Sequence, residues 1–105
     1  RGLKPNQIWQ TDFTWYEPFK PRPWLAVSID TCSGAIIATI HRTTKSREAR
    51  RHWTLAISVL GVPKQIKTDN GAAFTAKTTQ EWCERWEIQL KHGIPYNSTG
   101  QAIIE

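Results

Sequence analysis

Eight residues near the start of the chain, Ile8 to Trp15, alternate without a break. Trp9, Thr11, Phe13 and Trp15 fall on one face of an extended segment, and Ile8, Gln10, Asp12 and Thr14 on the other. That period reads as a β-strand with an acid in its middle. Acidic residues are depleted from strands, so a carboxylate between Thr11 and Phe13 needs a partner to offset its desolvation. A divalent metal is one such partner, and an Arg or Lys is another.

The segments that follow extend the pattern. Glu17 to Pro23 holds three prolines, which cannot donate to a ladder, and is expected to be a connecting loop or a sheet edge. Trp24 to Asp30 reads as a second strand, Thr31-Cys32-Ser33-Gly34 as a turn, and Ala35 to Ile40 as a third strand returning antiparallel to the second. From Thr44 the period changes. Ala49, Trp53, Ala56, Ile57 and Leu60 form one helical stripe that Gly61 and Pro63 stop, with Arg47, Arg50 and Arg51 on the other face. Lys64 to Thr68 reads as a short strand and Asp69-Asn70-Gly71 as a turn. Thr78-x-x-Glu81 reads as a capping box before a helix carrying Trp82, Cys83 and Trp86 on one side. Gln89 to His92 is a fifth short strand, the segment from Gly93 to Gly100 a loop with glycine at each end, and Gln101 to Glu105 the opening of a further helix. Neither an internal repeat nor a low-complexity tract is visible.

At 105 residues the chain is expected to be one small domain with a single core. No run approaches the roughly 18 consecutive apolar residues of a membrane helix. The first residues, Arg1-Gly2-Leu3-Lys4-Pro5, are charged and broken by proline, and the chain begins without Met, as an excised or processed segment does. Cys32 and Cys83 lie far apart with no second cysteine or histidine at zinc-ligand spacing. They are expected to be reduced, buried thiols in an intracellular setting. Fourteen basic against nine acidic residues give a net charge of +5, with Arg42, Lys45, Arg47, Arg50 and Arg51 clustered. This favours a polyanionic partner, nucleic acid first, although a solvated helix face accounts for the arginines equally simply.

Three carboxylates draw the site together. Asp12 is mid-strand, Asp69 ends a strand, and Glu105 opens a helix, with thirty-five residues between the last two. Singly, each has an ordinary reading: Asp69 before Asn-Gly as a turn former, Asp12 as half of an ion pair, Glu105 as a first-turn helix acid. Their joint placement lets them converge on one point. The histidines His41, His52 and His92 show no ligand spacing.

Trp9-Gln10-Thr11-Asp12-Phe13-Thr14, Val27-Ser28-Ile29-Asp30-Thr31, Ile66-Lys67-Thr68-Asp69-Asn70-Gly71 and the run Gly93-Ile94-Pro95-Tyr96-Asn97 to Gly100-Gln101-Ala102 and Glu105 closely resemble the catalytic core of retroviral integrases. The flavour is most similar to the avian sarcoma/leukosis type. The resemblance implies an α/β, RNase H-like fold. In it a five-stranded mixed sheet has three antiparallel strands followed by two parallel to the first, with flanking helices, cut at the start of the catalytic helix. It implies that Asp12, Asp69 and Glu105 hold two Mg²⁺ or Mn²⁺ ions about 3.5 to 4 Å apart and act in catalysis. The implied reactions are trimming of viral DNA ends and their joining to target DNA, both in-line displacements at phosphorus. Tyr96 and Gln101 would touch the DNA end, the loop with Asn97 and Thr99 would close over it, and Thr68, Asn70 and Lys67 would flank the site. Ser98 and Thr99 depart from the Pro and Gln that this loop often carries.

Viral DNA ends and target DNA are the implied partners, with a homodimer or higher oligomer and no membrane; the implied location is the virion, then host cytoplasm and nucleus. Glu105 is the last residue, and its own α-carboxylate would compete for metal. A non-catalytic core fragment with residual DNA or dimer contacts is therefore a second expectation. A related RNase H-like nuclease or transposase is a third.

Overall fold

A computed structural model describes residues 6–93. The loop and helix expected from Ile94 onward lie outside the described residues, as do the first five positions.

Strand β1 (Ile8–Trp15) is central and pairs antiparallel with β2 (Trp24–Asp30), which pairs antiparallel with β3 (Ile36–His41). On its other side β1 pairs in parallel with β4 (Gln65–Lys67), and β4 in parallel with β5 (Gln89–Lys91), giving the order β3-β2-β1-β4-β5. Helix α1 (Ser46–Leu60) crosses from β3 to β4, and α2 (Ala72–Thr75) and α3 (Lys77–Arg85) cross from β4 to β5. Parallel neighbours require such crossovers, because a tight turn cannot reverse the chain twice. The expected five-stranded mixed sheet is therefore present, with its strands within a residue or two of the expected bounds. Among the described residues no helix is long and apolar enough to cross a membrane.

The face that alternation assigned to Trp9 and Thr11 is the buried one. Trp9, Ala49, Trp53, Ala56, Ile66, Phe74, Trp82, Cys83 and Ile88 form the core between sheet and helices. Its centre is a run of aromatic rings: Phe13 stacks on Phe74 at 5.6 Å, Phe74 meets Trp53 at 5.9 Å, and Trp53 meets Trp82 at 5.7 Å. Offset and tilted pairs at these separations add to the area that each ring buries. Arg47 and Arg51 on α1 are exposed, as expected, and Arg50 is half-buried. The opposite face of the sheet carries Leu25, Val27 and Ile29 with Ile36 and Ile40. The last two are 60% and 47% exposed.

Two local expectations are corrected, and one short helix is added. Thr78 and Glu81 form no capping box: α3 starts two residues earlier than that cap implies, its N-cap is Ala76 without a side-chain cap, and the Thr78 hydroxyl bonds Ser46 Oγ at 2.7 Å instead. Cross-helix bonding has taken the oxygen that a local rule assigned to the backbone. Helix α2 follows the Asp69–Gly71 turn where no element is expected, since four residues are too few to show a helical period. Cys32 is exposed rather than buried, and Cys83 alone is a core thiol, its pKa pushed up to about 12 by burial.

The sheet meets α1 through polar groups as well as apolar ones. Trp53 Nε1–H donates to Thr11 Oγ1 at 3.1 Å, and Thr11 and Ser28 hydroxyls meet at 2.7 Å. Ser28 Oγ lies 2.8 Å from His52 Nε2, and His52 Nδ1 lies 2.7 Å from Thr39 Oγ1. Thr39 Oγ1 bonds His41 Nε2, and His41 Nδ1 meets Glu48 Oε1 at 2.7 Å. Among the described residues no buried side-chain nitrogen or oxygen lacks a partner. At the far end of β2, burial acts to raise the Asp30 pKa. Bonds from Ser33 Oγ and from the N–H groups of Asn6, Cys32 and Ser33 outweigh it and hold the carboxyl below its ordinary range. Asp30 thus staples the β2–β3 turn to the residues preceding β1.

Candidate metal centre and nucleic-acid interface

Parallel register explains why two acids with fifty-six residues between them in sequence meet. Gln10 of β1 stands opposite Lys67 of β4. Two residues further along each segment come Asp12 and Asp69, so continuation of the same register delivers both carboxylates to one level at the C-terminal end of β4. The β4–β5 register, Lys67 opposite Lys91, brings Gly93 to that level as well. The segment leading to Glu105 therefore departs from beside the pair. C-terminal strand ends next to helix crossovers are where open α/β sheets place their ligands.

Asp12 is half-buried, and its Oδ1 accepts the Phe13 N–H at 2.8 Å. Its pKa is raised from 3.8 to about 6, first by burial and then by the Asp69 carboxylate facing it. Bonding of the protonated form to Asp69 adds to the rise, and the Phe13 N–H opposes it. Asp69 does what a turn former does: its Oδ1 accepts the Gly71 N–H at 2.7 Å. Turn former and site residue are compatible, because closing the turn is what aims the carboxyl. The Asp69 charge facing Asp12 makes this a locus of concentrated negative charge, and an all-oxygen donor pair of this kind suits Mg²⁺ or Mn²⁺. Among the described residues no cluster of three or more His, Cys, Asp or Glu is assembled. Glu105, the third expected ligand, lies outside them.

The other expected contacts separate into groups. Lys67 is half-buried and, by its pairing with Gln10, shares the sheet face of Asp12. Asn70 is exposed on the turn. Thr68 is fully buried and its hydroxyl donates to the Asp69 carbonyl at 2.9 Å, so it supports the site from beneath and presents nothing to a DNA strand. Tyr96, Asn97, Thr99 and Gln101 lie outside the described residues.

Three neighbours were not singled out from the sequence. Lys91 is paired with Lys67 and exposed, which doubles the positive charge beside the acids. The alternation of Gln89, Leu90 and Lys91 was the available signal, but three residues carry little of it. His92 bonds Thr68. Gly71 is required for space rather than for backbone freedom: its φ of −59° suits any residue, but a Cβ there would stand 2.9 Å from Asp69 Oδ1. Gly71→Ala is accordingly expected to displace the Asp69 carboxylate with little loss of stability, since the atom that yields is a side-chain tip. Mn²⁺ affinity should fall by about tenfold, the scale on which misoriented ligands are felt. Calorimetric titration against the parent checks this, and parent-like affinity would show that Asp69 orientation is not limiting.

With this geometry in place, likeness to known proteins is specific. The family model described as Integrase core domain matches residues 2–98. The Gag-Pol polyprotein of Rous sarcoma virus subgroup B (strain Schmidt-Ruppin) is 57% identical over all 105 residues, which take in 7% of that polyprotein. The HTLV-2 integrase catalytic core domain, solved in complex with magnesium, superposes with a TM-score of 0.84 at 38% identity, over 99% of this chain and 70% of that one. The integrase chain of a simian T-cell lymphotropic virus intasome in complex with PP2A regulatory subunit B56 gamma gives a TM-score of 0.88 at 39% identity, over 99% of this chain and 37% of that one. The chain thus spans a small part of its curated relatives and between a third and three quarters of these solved ones. With its five-stranded RNase H-like sheet and its sequence likeness to avian sarcoma and leukosis polyproteins, the chain belongs to the retroviral integrase core domain family.

Proposed function

We propose that this chain, residues 1–105, is part of the catalytic core of an enzyme that trims viral DNA ends and joins them to target DNA. The observation that carries the reading is the pairing of Asp12 with Asp69 at one level of the sheet, with the Asp12 charge made costly by burial and by Asp69, in a chain of the integrase core family. Asp12, Asp69 and Glu105 would hold two Mg²⁺ or Mn²⁺ ions. The magnesium complex of the HTLV-2 core supports a divalent ion at such a site. When bound, the metal supplies charge neutralisation at the attacking and leaving oxygens of a phosphodiester. The protein's own part is positional. Phe13 N–H and Gly71 N–H each hold one carboxylate oxygen, leaving the carboxylates oriented before a ligand arrives.

Lys67 and Lys91 supply positive charge on the same face, and a phosphate backbone bound there would release counterions. Asn70, together with Asn97, Thr99, Tyr96 and Gln101, completes the proposed DNA contacts. No covalent enzyme intermediate is required, so the buried histidines and cysteine need not take part. The dimeric and trimeric HTLV-2 cores and the intasome support a homo-oligomer as the working form, acting in the virion and then in the host cytoplasm and nucleus.

A second reading, a non-catalytic core fragment, is favoured by the exposed apolar positions Ile36 and Ile40 on the sheet face that bears Asp12. Joining of labelled viral-end duplexes in Mn²⁺ separates the two. The comparison sets the chain alone beside a chimera in which the HTLV-2 core supplies the residues after 105. Joining by the chimera that disappears in its Asp12→Asn and Asp69→Asn forms is the expected result. Joining by the chain alone would remove the fragment reading, and a chimera whose joining survives both substitutions would remove the catalytic one.

A further inference from the structure

His92 is half-buried at the end of β5 and belongs to none of the roles assigned so far. Its Nδ1 lies 3.1 Å from Thr68 Oγ1, and the same oxygen donates to the carbonyl of Asp69 at 2.9 Å. Thr68 is fully buried, and its N–H donates to Lys91 O at 2.9 Å. The two strand ends are thus tied twice, once through the backbone and once through side chains, immediately before the residues that carry the site.

A hydroxyl has one proton. If Thr68 Oγ1 gives it to the Asp69 carbonyl, which can only accept, the bond to His92 must run the other way, with Nδ1–H as donor. The ring is then held in its Nδ1–H tautomer. Removing that donor frees the Thr68 hydroxyl to turn, and with it the peptide that joins Asp69 to Asn70. That peptide sets where the Asp69 carboxyl points, because Oδ1 is anchored only two residues on, at Gly71 N–H. We infer that His92 is a positioning residue that orients Asp69 through the Thr68 hydroxyl. It also ties that orientation to the start of the segment leading to Glu105. The inference rests on the metal-centre reading of Asp12 and Asp69.

The test compares the parent chain with His92→Ala, His92→Asn and Asp12→Asn. An Asn side chain can place an amide N–H near the position of Nδ1 and so keep a donor to Thr68. Mn²⁺ titration by calorimetry is expected to show about tenfold weaker binding for His92→Ala and near-parent binding for His92→Asn, the scale seen when an outer-shell partner is removed. Unfolding midpoints in EDTA should be alike for the two. Long-range ¹H–¹⁵N spectra of the metal-free parent should show the Nδ1–H tautomer at His92. Parent-like Mn²⁺ affinity in His92→Ala, with binding lost in Asp12→Asn, would overturn the positioning role and leave the metal centre standing. Parent-like affinity in Asp12→Asn would overturn the metal centre itself, and this inference with it. Should His92→Ala not fold, the spectrum of the parent decides, and an Nε2–H ring overturns the inference.

Discussion

Asp12→Asn is expected to make the metal-free protein more stable at neutral pH while abolishing its response to Mn²⁺. The folded pKa of Asp12 is raised to about 6 against 3.8 for the free side chain, by burial first and the Asp69 charge second. Between those values the folded state keeps a proton that the unfolded state has released. The stability this represents is fully present below about pH 4 and is lost as pH rises through about 6. Above that, an ionised Asp12 strains against Asp69. After discounting for its partial exposure the cost is on the order of 1 kcal/mol, and an amide of the same shape removes it. Metal reverses the sign. A cation that binds only the folded parent stabilises it by about 2.7 kcal/mol at a concentration one hundred times its dissociation constant, and Asn, lacking the charge, should gain almost none of this. Urea unfolding of both proteins in EDTA and in Mn²⁺ supplies the four numbers. Equal stabilisation of parent and variant by Mn²⁺ would remove Asp12 from the site.

His52 carries the largest expected effect on stability. It is fully buried, and its pKa is pushed down to about 3, first by burial and then by the nearby His41. With one ring proton on each of His41 and His52, the bonds around His52 run in one direction. Trp53 donates to Thr11, Thr11 to Ser28, Ser28 to His52 Nε2, His52 Nδ1–H to Thr39, Thr39 to His41 Nε2, and His41 Nδ1–H to the Glu48 carboxylate. A proton on His52 Nε2 would meet the Ser28 hydroxyl proton head-on. Because the folded pKa is depressed, the unfolded chain binds a proton that the fold refuses, so stability falls as pH drops below about 6.5. The accumulated loss near pH 3 is on the order of 4 kcal/mol. His52→Ala should cost about 3 kcal/mol or more even at pH 7, since it opens a cavity and takes one hydrogen-bond partner from each of the Ser28 and Thr39 hydroxyls. His52→Gln, which keeps some hydrogen bonding without a titrating ring, should cost less and flatten the acid slope. Measured in the Asp12→Asn background, where the opposing carboxylate no longer titrates, an unchanged slope in His52→Gln would show that acid sensitivity originates elsewhere.

The strands and the main crossover helix were legible because each is a local pattern. Alternation in Ile8–Trp15 put Asp12 on the face away from Trp9, and the 3.6-residue stripe from Ala49 to Leu60 marked the face of α1 that meets the sheet. What was illegible depended on partners distant in sequence. Thr78 looked like a cap until Ser46 took its hydroxyl. The bond from Thr68 to His92 appears only once β5 lies beside β4, and His41 and His52 had no visible purpose until β2, β3 and α1 were stacked. Gly71 carried no signal for its real constraint, which is the space that Asp69 Oδ1 occupies.

By itself, then, the amino-acid order determined the strands and the main crossover helix, since side-chain period is a property of short segments. The level at which Asp12 and Asp69 meet was decided only by the tertiary structure. Hydrogen-bond register between β1 and β4 sets it, and that register exists only after α1 has carried the chain across the sheet and its core has closed.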